Sequence, residues 1–338
     1  MRPDAPATRE EIARAIALEE QHKRSQPANE AAGRGLAERF YRDCLLAQPN
    51  AVEPDLLGFI EHISQERSVT NEDRGPDRTF WAYQSQPEGA DRDILHRFLA
   101  RACGESRGLQ VLEDTPAGNQ LNAYHLGNPH VMDALAEHYG VDSDELGNAH
   151  GQAWNTLSDR YARETEGLAV TFAADITEGS VLGKIEIARL LKNSKVGKEG
   201  IKFATLLPLE GHEHLPPDVH GFMSNDAVRC QLRKGDDDPQ KSPEEFAKKL
   251  AAIDVPEDQK EAHRGIVARL SAAQDYQDLM PPPEPKQQGP SKRAKAFMPG
   301  VSMDNGIPPA APSRGPTGHG VMNPVAAGLA PKPAGIEH

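Results

Sequence analysis

Cysteine and aromatic residues are scarce in this chain. Its 338 residues include three cysteines, Cys44, Cys103 and Cys230, far apart and without a CxxC pair. That excludes a disulfide framework and a cysteine-paired zinc motif, and it points to a reducing compartment. With two Trp, six Tyr and nine Phe, the core must come mainly from Leu, Ile, Val and Ala, and the place of each Trp becomes informative. No apolar run approaches the length of a membrane span, and the opening MRPDAPATREEIARAIALEEQHKRSQ lacks the apolar core of a secretory signal. Positive charge is in the minority. Lys and Arg total 38 against 51 Asp and Glu, a formal charge of −13, which argues against nucleic acid as a partner. A single pocket can still carry the opposite sign and hold a small anionic ligand.

What is present falls into three stretches. Residues 1–70 read as a helical N-terminal region. TREEIARAIALEEQHKR opens with a capping box, Thr8 then Glu11, and puts Ile12, Ala15, Ile16 and Leu18 near one face. GLAERFYRDCLLA and PDLLGFIEHISQ continue in helical period, and TNEDRGPDR is a polar link. Residues 71–275 mix signals. DILHRFLARACG predicts an amphipathic helix stopping at Gly104, and AWNTLSDRYARET a helix with Trp154, Leu157 and Tyr161 in register. LAVTFAA, GKIEIARL and GIKFATLLP are strand candidates; in the second, alternation would put Ile185 and Ile187 on one face and Lys184 and Glu186 on the other. SPEEFAKKLAAI carries a second capping box, Ser242 and Glu245. Residues 276–338 are rich in Pro, Gly, Ala and Lys and predict a disordered tail, in which PSKRAK is most simply solvated charge. GHEHLPPDVH holds His212, His214 and His220, but in no zinc-ligand spacing.

LEDTPAG, Leu112 to Gly118, poses the sharpest question. Asp114 or Thr115 can cap a helix and Pro116 suits its first turn, which leaves Glu113 unexplained. Taken alone it reads as one more solvated charge. Three other segments change that: TFWAY with Trp81, AWNTLS with Trp154 and, one helical turn later, Ser158, and SVLGKIEI with Glu186. In this order and context the four resemble the ADP-ribosyl cyclase and NAD glycohydrolase family over roughly residues 79–210, with SPEEFAKKLAAI similar to that family's closing helix. The resemblance departs at two places: Tyr83 stands where the animal enzymes carry a phosphate-contacting arginine, and Val181 stands for the threonine of an S-T-F-G run.

The resemblance implies an α/β fold, a helical N-terminal part plus a small, mainly parallel sheet flanked by helices, with the active site in the cleft between them. It implies cleavage of NAD⁺ at the nicotinamide–ribose bond, giving ADP-ribose, cyclic ADP-ribose or both. Glu186 is then the catalytic carboxylate, and Glu113 a second one that steers the intermediate. Trp81 and Trp154 would fence the pyridinium ring, with Asp114, Ser158, Tyr83 and Thr115 completing the substrate contacts. NAD⁺ is substrate, so no separate cofactor and no metal is expected. Without disulfides or a secretory signal, the chain resembles an effector or toxin made in the cytoplasm and carried into a target cell by specialised secretion. An immunity protein or secretion chaperone would be its partner, with neither nucleic acid nor membrane. The alternative from another class is a silent relative that binds a nucleotide or host protein through the same cleft. ADP-ribose transfer to protein lacks the glutamate pair usual for transferases.

Overall fold

The first helix starts where its capping box puts it. In α1 (Arg9–Ser25) the Thr8 hydroxyl accepts from the Glu11 N–H, and the Glu11 carboxylate accepts from the Thr8 N–H at 2.8 Å. Helices α2 (Glu30–Ala47) and α3 (Leu56–Glu66) begin on the side-chain caps Asn29 and Asp55. The chain continues through β1 (Arg78–Ala82), β2 (Gln84–Ser85), β3 (Ile94–Leu95), α4 (His96–Arg107), α5 (Pro116–Ala123), α6 (Pro129–Tyr139) and α7 (Ser143–Arg163). Then come β4 (Ala169–Ala173), a single π-helical turn (Leu182–Glu186), α8 (Ile187–Lys192), α9 (Gly197–Gly200) and β5 (Ile201–Thr205). Four helices close it: α10 (Pro217–Met223), α11 (Asp226–Arg229), α12 (Pro243–Ala251) and α13 (Lys260–Ala272). This is a computed structural model, and it describes residues 2–206, 214–236 and 241–280.

The described residues give a mixed α/β protein with thirteen helices around a three-stranded parallel sheet, ordered β1-β4-β5. Trp81 pairs with Phe172, and a register shift follows Thr171 in β4. Gln110 bridges Arg78 in parallel, so the apolar run before LEDT lies along the free edge of β1. On one face, α1 lays Ile12, Ala15 and Leu18 against Phe98, Leu99 and Ala102 of α4 and against Phe172. On the other, α2, α3, α5, α6, α7 and α8 bury Phe40, Phe59, Ile60, Leu121, Leu157 and Tyr161 with Phe80. A third apolar cluster joins α10–α13 around Phe246 and Leu250. No helix among the described residues is long and apolar enough to cross a membrane.

Three expectations are corrected. GKIEIARL is helical, not a strand. Leu182, Gly183, Glu186, Ile187 and Leu190 are its buried positions, a helical spacing, and a four-residue alternation is too short to tell the two periods apart. Glu186 therefore projects from a helical turn, not from a sheet face. Helix α4 runs through Gly104 and stops at Gly108, whose φ of 73° is the left-handed value that a glycine stop supplies. Gly104 is needed for closeness instead: a Cβ there would stand 2.5 Å from Val111 Cγ2. The folded part also extends past residue 276, because Tyr276 opens a capped 3₁₀ turn to Leu279 and is buried in the third cluster. The readings of the remaining tail, PSKRAK included, lie outside the described residues, as does His212.

Candidate functional site

Glu113 is delivered by the edge strand. Thr79 N–H donates to Gln110 O at 2.9 Å and Gln110 N–H to Asp77 O at 2.8 Å, holding the run beside β1 until Leu112. The chain then tightens into a 3₁₀ turn over Leu112–Asp114. Thr115 caps α5: its hydroxyl donates to Leu112 O at 2.6 Å and accepts from Gly118 N–H at 3.2 Å. It is fully buried, with its donor and one acceptor position spent on the turn. Gly118 admits that turn, since a Cβ there would meet Leu112 O at 2.0 Å.

The turn lays Glu113 against the fourth residue of β1. Trp81 Nε1–H donates to Glu113 Oε1 at 2.9 Å, and Arg97 Nε of α4 stands 3.5 Å from the same oxygen. Glu113 is only 7% exposed, and its Oε2 is buried without a hydrogen-bond partner. An unmet buried acceptor costs about 1–3 kcal/mol, so this oxygen is a standing demand for a donor or a cation. Asp114 faces the next turn of α4, with Oδ1 2.8 Å from Arg101 Nη2. Arg97 also donates to Asn122 Oδ1 at 3.0 Å.

The π turn brings the second carboxylate. Ile187 N–H bonds back to Leu182 O across the widened turn, and Gly183 lets it sit on the loop before it, where a Cβ would lie 2.1 Å from Thr177 O. Glu186 is likewise 7% exposed. Burial pushes its pKa up to about 8; the Ser158 hydroxyl pulls it down, and the nearby Glu113 charge raises it further. Tyr161, one turn after Leu157 in the core of α7, is held neutral above all by burial, with Arg78 opposing and both glutamates adding to the shift. Glu113, Glu186, Ser158, Trp81 and Tyr161 thus share one neighbourhood.

No family model, curated protein or solved structure matches the chain. Its own residues must therefore carry the functional reading.

Trp154 is half-buried against the large core, whereas Trp81 packs on the cluster across the sheet. The Trp154 indole N–H donates to His150 Nε2 at 3.0 Å, and the two rings meet edge-on. That bond requires His150 to be neutral, in keeping with its burial-lowered pKa. Tyr83 is 44% exposed, with a φ of 64° that is unusual away from glycine and its hydroxyl against that of Thr177. The contact ties the loop after β1 to the loop after β4. Arg97, Arg101 and His150 were not singled out from sequence, and Tyr161 only for its place in the register of its helix. The arginines stand four apart on the polar face of α4, a pattern shared with any solvated helix. Among the described residues, no three His, Cys, Asp or Glu side chains could hold a metal ion.

Proposed function

We propose that the chain cleaves NAD⁺ at the nicotinamide–ribose bond, releasing nicotinamide and leaving ADP-ribose, its cyclic form, or both. The observation that carries the reading is the buried pair of carboxylates, Glu113 and Glu186, with the Trp81 indole holding one and Ser158 touching the other. Departure of nicotinamide leaves an oxocarbenium-like ribosyl centre, and a fixed carboxylate beside it stabilises the developing charge without reorganising. At ~4 Å and an effective dielectric of ~20, one such charge contributes about 4 kcal/mol before desolvation. Glu186 takes this role and the ribose hydroxyls. Glu113 holds the carboxamide and biases whether water or adenine captures the cation.

Trp81 and Trp154 offer indole faces to the pyridinium, each worth about 0.5–2 kcal/mol as a cation–π contact. The substrate would enter the cleft between the helical N-terminal part and the sheet, past Tyr83. Arg97 and Arg101, paired with Glu113 and Asp114, are the cations we assign to its phosphates in place of the arginine that Tyr83 replaces. The delivered-effector setting rests on the family resemblance and the reduced cysteines. Incubating the full chain with NAD⁺ and separating the products tests the activity. Nicotinamide release that falls by about 10²–10³ in Glu186→Gln is the expected result. Full-chain protein that leaves NAD⁺ intact would turn the reading into one of binding alone.

A further inference from the structure

The two glutamates are unequally provided for. Glu113 has an indole N–H and a guanidinium on one oxygen. Glu186 has a hydroxyl and a like-charged neighbour, and none of the groups acting on it is a cation. The surroundings confirm the imbalance element by element. From α7, Ser158 and Tyr161 face the pair, while Asp159 is engaged with Arg163 and Arg189. From β1, Arg78 spends Nη1 on Tyr161 O and Nη2 on Thr70, and its guanidinium lies 4.5 Å over the Tyr161 ring. From the segment after α11, Arg233 donates to Gly183 O at 3.1 Å and to Cys230 O at 2.9 Å. Arg97 therefore answers Glu113 alone, Glu186 is left without a counter-charge, and Glu113 Oε2 has no hydrogen-bond partner.

A buried acid without a counter-charge keeps its proton, and a buried acceptor without a donor waits for one. Both deficits are met by one arrival beside Trp81, a flat positively charged ring whose charge answers Glu186 and whose carboxamide N–H answers Glu113 Oε2. We infer that the Glu113–Glu186 pair is a proton-linked receptor for a planar monocation, in which the bound ligand's charge replaces a proton held on the pair and that proton leaves to solvent. The inference deepens the proposed activity and rests on it for where the ring sits. It adds that the site selects its ligand by charge and that occupancy rises with pH. The oxidised, pyridinium form of the dinucleotide is favoured, and a reduced, uncharged nicotinamide ring gains nothing from the exchange. Glu186 also becomes ionised at the moment its charge is needed, because the substrate itself draws the proton off.

The probes are the N-methylnicotinamide cation, which has no glycosidic bond to cleave, and neutral nicotinamide, titrated calorimetrically into the full chain in buffers of different protonation enthalpy. The expected result is release of close to one proton per N-methylnicotinamide bound near neutral pH, with affinity rising about tenfold per pH unit below about pH 8. Nicotinamide should show neither effect. Glu186→Gln, with its fold checked by melting, should bind the cation without releasing a proton. Equal behaviour of the two probes, cation binding without proton release, or no cation binding at millimolar concentration would each overturn the inference. Proton-linked binding by a chain that leaves NAD⁺ intact would remove the activity and keep the receptor. NAD⁺ cleavage without proton-linked binding would do the reverse.

Discussion

Replacing Glu186 by Gln should make the protein more stable, and by an amount that depends on pH. The folded chain holds the Glu186 proton up to about pH 8, against an ordinary value of 4.5. Below 4.5 both folded and unfolded states are protonated, so burial of the carboxyl carries no charge penalty. Between 4.5 and 8 the unfolded chain gives up its proton while the folded chain retains it, and stability falls steadily as pH rises. Above 8 both are ionised and the penalty is constant. At about 1.4 kcal/mol per unit, the gap of 8 − 4.5 amounts to roughly 5 kcal/mol in full, and roughly 3 kcal/mol at pH 7. Gln keeps the shape and never ionises, so the penalty vanishes. For a domain of this size, about 3 kcal/mol is a Tm rise on the order of 5–10 °C. The assay is the difference between variant and wild-type melting temperatures across pH 4 to 8, which cancels the titration of every group not coupled to Glu186. It should be near zero or slightly negative at the acid end and grow towards pH 8. A difference curve that is flat, or that falls with pH, would refute both the raised pKa and the charge imbalance built on it. A gain in stability coupled to loss of NAD⁺ cleavage would identify Glu186 as a residue kept for chemistry at the expense of folding.

Glu113→Ala should change the ratio of cyclic ADP-ribose to ADP-ribose as well as the rate; unchanged products at an unchanged rate would return Glu113 to a structural role. Gly118→Ala should displace the LEDT turn from Trp81, since its Cβ would meet Leu112 O at 2.0 Å, costing about 1–3 kcal/mol and most of the activity. A variant with wild-type Tm and turnover would show that the turn yields easily. A chain ending at Pro282 should keep its Tm, whereas one ending at Asp275 loses the buried Tyr276 ring and about 2 kcal/mol. Identical melting of the two truncations would show that the capped turn at Tyr276 carries no weight.

How much of this was legible in the sequence varies from residue to residue. The capping boxes at Thr8 and Ser242 were, because a hydroxyl and a glutamate three residues on satisfy each other locally and need nothing from the rest of the fold. So was the start of α5, where Thr115 and Pro116 mark the first turn. Strands β4 and β5 stood out as apolar runs, and β1 did not, since a strand opening on arginine looks exposed. Arg78 is nevertheless buried, through bonds to Tyr161 O and Thr70 that lie 83 and 8 residues away. The meeting of Trp81 with Glu113 is a contact across 32 residues, suggested by resemblance and not by local pattern. The helical state of Glu186 was hidden because KIEI alternates as a strand would; what decides it is the packing of Leu182, Ile187 and Leu190 into the core.

The π turn at Leu182–Glu186 has a consequence for how this chain can vary. A π turn is an α-helix carrying one surplus residue, and it relaxes to regular α geometry if any one of its residues is lost. Each helical residue advances the chain by about 100° around the axis. Deletion of one residue between Leu182 and Ile185 would therefore leave the helix intact but remove the widened turn that presents the Glu186 carboxyl towards Glu113 and Ser158. Point substitutions around this turn can be compensated by repacking, but a change in length cannot. Relatives that share the chemistry should keep the spacing from the Thr177 loop to the glutamate more strictly than they keep the residues within it.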